Sequence, residues 1–176
     1  MIGAILSQRT RDANSEQAAE RLFAAAQTPE DVLALDPSAL RELIRCSGFY
    51  NTKADHIRAA CQHILDNRVG VPSDRNLLLD IPGVGPKTAD IVLSYGFGKP
   101  AVAVDVHVGR VARRIGYAPP GATPEEVKEA IEASHPPEEY RFLDSALLEL
   151  GKTKCRKEPD CRECPINRDC EKAGVT

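Results

Sequence analysis

The stretch IPGVGPKTADIV, residues 81–92, sets two glycines and two prolines between two runs of helical character. NLLLD (76–80) closes one helix and PKTADIVLSYG (86–96) makes the next, so residues 76–96 read as a helix–hairpin–helix. Gly83 and Gly85 can take backbone angles closed to other residues. With Val84 between them, they bring main-chain N–H groups to the surface beside a helix N-terminus, which makes a seat for an anion. A DNA phosphate suits it. Gripping DNA through backbone atoms needs few basic side chains, so a formal net charge of −3 is no obstacle. PGVG alone also fits a corner kept only for packing.

Working outward, the pattern is helical almost throughout. NTKADHIRAACQHILDN (51–67) places Ala54, Ile57, Cys61, Ile64 and Leu65 on one stripe. DPSALRELIRCSG (36–48) has an acidic start and Gly48 as a stop. TPEEVKEAIEASH (123–135) opens with Thr123 as N-cap and Pro124 at the first helical position. EYRFLDSALLELG (139–151) is apolar at helical spacing and stops at Gly151. KPAVAVDV (99–106) is the one β-looking run, and a lone strand makes no sheet. The expectation is an all-α chain of eight to ten short helices, with Cys46 and Cys61 in the core.

Chemistry enters at the exit of the hairpin. Lys87 lies in the first helical turn, where the helix dipole disfavours a positive charge, and partial burial would act the same way. A neutral amine is a nucleophile. Eighteen residues on, in AVAVDVHVGRVARR (101–114), Asp105 opens another helix. A carboxylate near the amine could steer protons or stabilise a developing cation.

The 176 residues, 42% of them hydrophobic, suffice for one sizeable domain or two small ones sharing a core. No apolar run reaches membrane-spanning length and no signal peptide is visible, so the expectation is a cytoplasmic protein, nucleoid-associated if prokaryotic, with no membrane partner. Of six cysteines, four crowd the C-terminus: Cys155, Cys161, Cys164 and Cys170. A disulfide framework would spread them along a secreted chain, so the clustering points to a metal or iron–sulfur site. Their spacing is C-x5-C-x2-C-x5-C. Four thiolates suit zinc as well as a [4Fe–4S] cluster, but zinc ribbons usually carry two C-x2-C pairs and this run has one, so the cluster is favoured.

LLLDIPGVGPKTADIVLSYGFGKPAVAVDVHVGRVARR (77–114) resembles the helix-hairpin-helix DNA glycosylases of the endonuclease III family. Their core is a PGVGxKTA hairpin, a lysine at its exit and a VDxH aspartate downstream. The resemblance extends from ILSQRTRDAN to the cysteine run, where the family pattern is C-x6-C-x2-C-x5-C, one residue longer in its first gap. It implies a two-lobed fold with DNA in the cleft between: a helical barrel lobe (1–99) carrying the hairpin, and a cluster lobe (100–176) carrying Asp105 and the loop 155–170. It implies that Lys87 attacks C1′ of a damaged nucleotide, that Asp105 is the essential carboxylate, and that β-elimination then nicks the strand. The nucleotide must be flipped out of the duplex for this.

SGFYNTKA (47–54) matches the family loop GLYNxKA and places Phe49 as an apolar wedge; the alternative for Phe49 is an ordinary core aromatic. The family's LLSAQxTD carries a glutamine that enters the gap left by the flipped base. Here the run is ILSQRTRD (5–12): Arg9 stands at the glutamine's position and Gln8 one place earlier, and either could insert. His107 fits the VDxH motif as a DNA contact or a structural histidine. Lys152, Lys154 and their basic neighbours in the cluster loop, with Arg110, Arg113 and Arg114, are expected at DNA phosphates. Family members carry a further helix ahead of ILSQ; without it, an apolar groove beside residues 125–150 and lower stability are expected.

Together these imply a monomeric, bifunctional DNA glycosylase and abasic-site lyase of base-excision repair. It would act on duplex DNA with damaged bases, oxidised pyrimidines above all. The rivals are a glycosylase for thymine or uracil opposite guanine, a non-catalytic hairpin module that only grips phosphates, and a zinc-stabilised helical interaction protein. A mere grip needs neither Lys87 nor Asp105.

Overall fold

The computed structural model describes residues 1–68 and 70–175, and the described residues contain ten α-helices and no strand. In order they are α1 (Ile2–Ser7), α2 (Asp12–Ala25), α3 (Pro29–Ala34), α4 (Pro37–Leu43), α5 (Tyr50–Asn67), α6 (Arg75–Leu79), α7 (Pro86–Ile91), α8 (Val106–Ile115), α9 (Pro124–Ser134) and α10 (Tyr140–Thr153). A π-helical turn (Val92–Gly96) follows α7 and a 3₁₀ turn (Pro137–Glu139) precedes α10. The all-α expectation holds. No helix among the described residues is long and apolar enough to cross a membrane.

Helix starts follow local chemistry. Thr28 and Thr123 form capping boxes with Asp31 and Glu126, each with proline at the first helical position. Asp36 and Asp74 accept the first free N–H groups of α4 and α6. α5 fulfils its expected stripe, burying Ala54, Ile57, Cys61 and Ile64. Two stops differ. α4 ends at Leu43, five residues before Gly48, which is needed instead for a close approach: a Cβ there would lie 2.8 Å from Arg9 O. Gly151 does not end α10 but lies inside it, where a Cβ would meet His107 Cβ at 2.8 Å. Cys61 is buried as expected; Cys46 is only half-buried, its thiol 3.5 Å from Asn14 O.

The chain forms two compact units, Met1–Val92 and Leu93–Thr176. In the first, Ile5, Leu6, Leu22, Leu40, Ile44, Ile57, Leu78 and Ile81 are fully or almost fully buried. In the second, Val102, Val104, Val108, Val111, Val127, Ile131 and Leu147 make the core. Within the β-looking run 99–106, residues 101–104 are buried, yet the described residues contain no strand for it to pair with. Two of its backbone donors are met by carboxylates: Val102 N donates to Glu132 Oε1 (3.1 Å) and Ala103 N to Asp144 Oδ1 (3.2 Å). Two acidic side chains thus replace a neighbouring strand.

Candidate nucleic-acid interface and cysteine site

In the first unit the hairpin is drawn tight by its own residues. Val84 N donates to Ile81 O (3.0 Å) and Ala89 N to Gly85 O (2.9 Å). The Val84 amide is therefore spent within the turn, whereas those of Gly83 and Gly85 make no such bond among the described residues. Gly83 sits at φ +81°, and a Cβ there would lie 2.7 Å from His56 Cβ. Both facts require glycine. Arg75, at the start of α6, grips the buried Asp90 of α7 with Nε–Oδ1 2.9 Å and Nη2–Oδ2 3.2 Å, a two-pronged pair that clamps the two hairpin helices. Gly83→Ala is expected to cost about 1–2 kcal/mol from the left-handed backbone alone, with the His56 clash added. A thermal melt should show Tm lower by at least about 2 °C.

Lys87 follows in the first turn of α7 and is exposed, so the partial burial expected of it is absent. Gln8 does not point outward: its Nε2 donates to Gly83 O (2.9 Å) and Thr88 Oγ1 (3.0 Å), buttressing the hairpin from behind. Arg9 is exposed, at φ +47°, and its guanidinium stacks over the Phe49 ring at 5.7 Å. Phe49 is 62% exposed and also left-handed, at φ +59°. It is no core aromatic. Two adjacent non-glycine residues held in a sparsely populated conformation, with their side chains in solvent, are the kind of strain that marks functional loops.

Sequence reasoning missed what holds these two loops. Lys53 in α5 is 3% exposed. Its Nζ donates to Leu6 O (2.7 Å), Gln8 O (2.5 Å), Thr10 Oγ1 (2.7 Å) and Ser47 Oγ (2.8 Å). Burial pushes the amine down to about 8. The signal was present: Lys53 lies four residues before Ile57 on the buried face of α5.

In the second unit Asp105 is the N-cap of α8, Oδ1 accepting from His107 N (2.8 Å) and Val108 N (2.9 Å). The cap fixes where the carboxylate stands. His107 packs on Gly151, and Arg110 Nη2 lies 3.2 Å from its Nδ1. A guanidinium cannot accept, so Nδ1 is the acceptor and Nε2 carries the hydrogen.

The arginines of α8 hold backbone carbonyls. Arg110 donates to Cys155 O and Gly151 O (both 2.8 Å), and Arg113 to Ala122 O (2.9 Å from Nε). Arg114 donates to Arg156 O (2.6 Å) and Lys157 O (3.1 Å). These side chains tie the C-terminal loop and the 119–122 turn to α8, a structural role beside the phosphate contact expected of them. Lys154 pairs with Asp160 at 3.8 Å, and Lys152 is exposed on α10.

The four cysteines line one small cavity, partly open to solvent, with Ile115, Leu150, Pro159, Ile166 and Val175 as apolar wall. No three His, Cys, Asp or Glu side chains among the described residues converge as ligands of a single ion. Four thiols around one cavity are a donor set for a metal ion or for an iron–sulfur cluster, in which each thiolate binds a different iron. Two N–H groups point at sulfur, Arg114 Nη1 at Cys155 Sγ and Lys172 N at Cys170 Sγ, both 3.4 Å, and the Cys170 thiol donates to Arg114 O at 3.4 Å.

The family model for the HhH-GPD superfamily of base excision DNA repair proteins matches residues 2–137. Endonuclease III of Thermotoga maritima is 40% identical over 173 residues, 97% of this chain and 81% of that protein. Among solved structures, a trapped endonuclease III–DNA covalent intermediate superposes with a TM-score of 0.91 at 36% identity, covering 97% of this chain and 81% of that one. A thermostable thymine-DNA glycosylase gives a TM-score of 0.84 at 26% identity, covering 96% and 80%.

Proposed function

The chain belongs to the endonuclease III family and is a DNA glycosylase and abasic-site lyase of base-excision repair; from that premise we propose that it removes oxidised pyrimidines from duplex DNA, with Lys87 as nucleophile and Asp105 as the essential carboxylate. The observation that carries the residue assignment is an exposed amine at the hairpin exit followed, eighteen residues on in the sequence, by a helix-capping aspartate, in a chain whose solved relative was trapped covalently on DNA.

The Lys87 amine lone pair attacks C1′ and the bond from C1′ to the base breaks, the base leaving with the electron pair and collecting a proton. Asp105, anionic and fixed by its cap, offsets the positive charge that grows at C1′. Opening of the sugar gives a Schiff base between Lys87 and C1′. Loss of a proton from C2′ then expels the 3′ phosphate oxygen, which nicks the strand.

Phe49 enters the duplex as the wedge and Arg9 fills the space of the flipped base. The structure favours Arg9 over Gln8 because Gln8 is engaged with the hairpin while Arg9 stands in solvent beside Phe49. Gly83 and Gly85 amides seat a phosphate. His107 Nε2–H and Lys152 add further phosphate donors, and Lys154 does so on exchanging Asp160 for DNA. Cys155, Cys161, Cys164 and Cys170 hold a [4Fe–4S] cluster, which supplies order to the C-terminal loop rather than chemistry at Lys87. The enzyme works as a monomer in the compartment that holds the DNA.

A lesion panel tests the substrate. Duplexes with an oxidised thymine or an oxidised cytosine should be cleaved at least about tenfold faster, by kcat/KM, than T·G or U·G mismatches. The reverse order would assign the chain to mismatch repair.

A further inference from the structure

Lys53 belongs to none of the groups that touch DNA in the scheme above. It is enclosed by three segments: the end of α1 with the 8–10 turn, the 44–49 turn, and α5 itself. Its three ammonium protons face four acceptors, Leu6 O, Gln8 O, Thr10 Oγ1 and Ser47 Oγ. The acceptors are themselves linked. Thr10 Oγ1 donates to Gln8 O (3.0 Å) and accepts from Gly48 N (3.0 Å), and Ser47 Oγ donates to Leu6 O (2.9 Å).

The two turns also touch without a side chain between them, since a Cβ on Gly48 would lie 2.8 Å from Arg9 O. Arg9 and Phe49, each one residue beyond a segment that Lys53 or its partners hold, are the two left-handed, solvent-exposed residues of this junction. Neither turn has a helix or a sheet ladder to hold it. A buried charge is costly unless fully hydrogen-bonded, so an ammonium kept here is balanced by fixing the loops that surround it.

We propose that Lys53 is a positioning residue that locks the Arg9 turn and the Phe49 turn into one rigid wedge, so that both side chains enter the duplex together when a base is flipped. It touches no DNA. It acts by lowering the conformational freedom that the wedge would otherwise lose on binding, and its effect is largest where flipping costs most. Extruding a paired base is such a case; a site that has already lost its base is cheaper to open. The inference rests on the reading of Arg9 and Phe49 as inserted residues.

The test compares Lys53→Met with wild type on two duplexes, one with an oxidised pyrimidine and one with a preformed abasic site, and runs Phe49→Ala beside them. Lys53→Met should lower kcat/KM for base removal tenfold or more while nicking of the abasic site changes less than threefold. In wild type, 2-aminopurine placed opposite the lesion should brighten on binding as it unstacks, and that rise should shrink in the variant. Thr10→Val, which removes one acceptor and leaves the ammonium, should give a smaller loss of the same pattern and serves if Lys53→Met melts below assay temperature. Equal losses on both duplexes in a folded variant, or no loss on either, would overturn the proposal. If Phe49→Ala leaves base removal intact, the wedge reading fails; if Phe49→Ala is impaired and Lys53→Met is not, only the locking role fails.

Discussion

Borohydride should trap wild-type protein covalently on a duplex containing an abasic site, and Lys87→Gln should abolish the adduct. Reduction of the Schiff base fixes the amine to C1′, so the adduct reports the bond that the lyase step requires. Gln keeps a polar side chain at an exposed position in the first turn of α7, and a melting curve beside the trap shows that the fold is intact. Strand nicking should fall by more than about 1000-fold, the scale on which loss of a covalent nucleophile acts. A surviving adduct would move the nucleophile elsewhere. Asp105→Asn complements this experiment. Asparagine caps helices as well as aspartate does, so α8 stays formed while the charge is lost. Base removal should then drop with little change in melting temperature.

The second large effect belongs to the cysteine loop. Residues 154–175 contain turns but no helix, and their order comes from side-chain ties to α8 and from whatever the four thiols hold. Protein prepared without oxygen should carry iron and acid-labile sulfide with visible charge-transfer absorbance. Cys164→Ser should lose most of it, and the second unit should unfold at markedly lower temperature, because metal binding of this kind is itself folding free energy. Stoichiometric zinc with no iron in such a preparation would overturn the cluster assignment.

Much of this was legible in the residues. The hairpin glycines, the Asp105 cap, the Thr123 capping box and the stripe of α5 follow from rules that act within a few positions, where the sequence specifies both partners. What escaped reading acts over distance. Charge at Arg110, Arg113 and Arg114 is plain in the sequence, but where a guanidinium turns depends on which carbonyls lie nearby, and those come from 40 residues away or from the next turn. Gly151 looked like a helix stop because a terminal glycine and a glycine admitting a neighbour are spelled alike; only His107 tells them apart. Lys53 was passed over because lysine is read as surface by default. The choice between Gln8 and Arg9 rests on backbone angle and on the reach of Gln8 to Gly83, neither of which is written in ILSQRTRD.

The ties from Arg110 and Arg114 give α8 a mechanical meaning. Its ten residues make a strut about 15 Å long with Asp105 at one end and the anchors of the cysteine loop along the other. The core residues Val108, Val111 and Ala112 hold the strut along its length, and the loop is fastened to it rather than it to the loop. Oxidants that create damaged bases also attack iron–sulfur clusters, so a cluster held as proposed would tie one end of the strut to the very stress that generates the work.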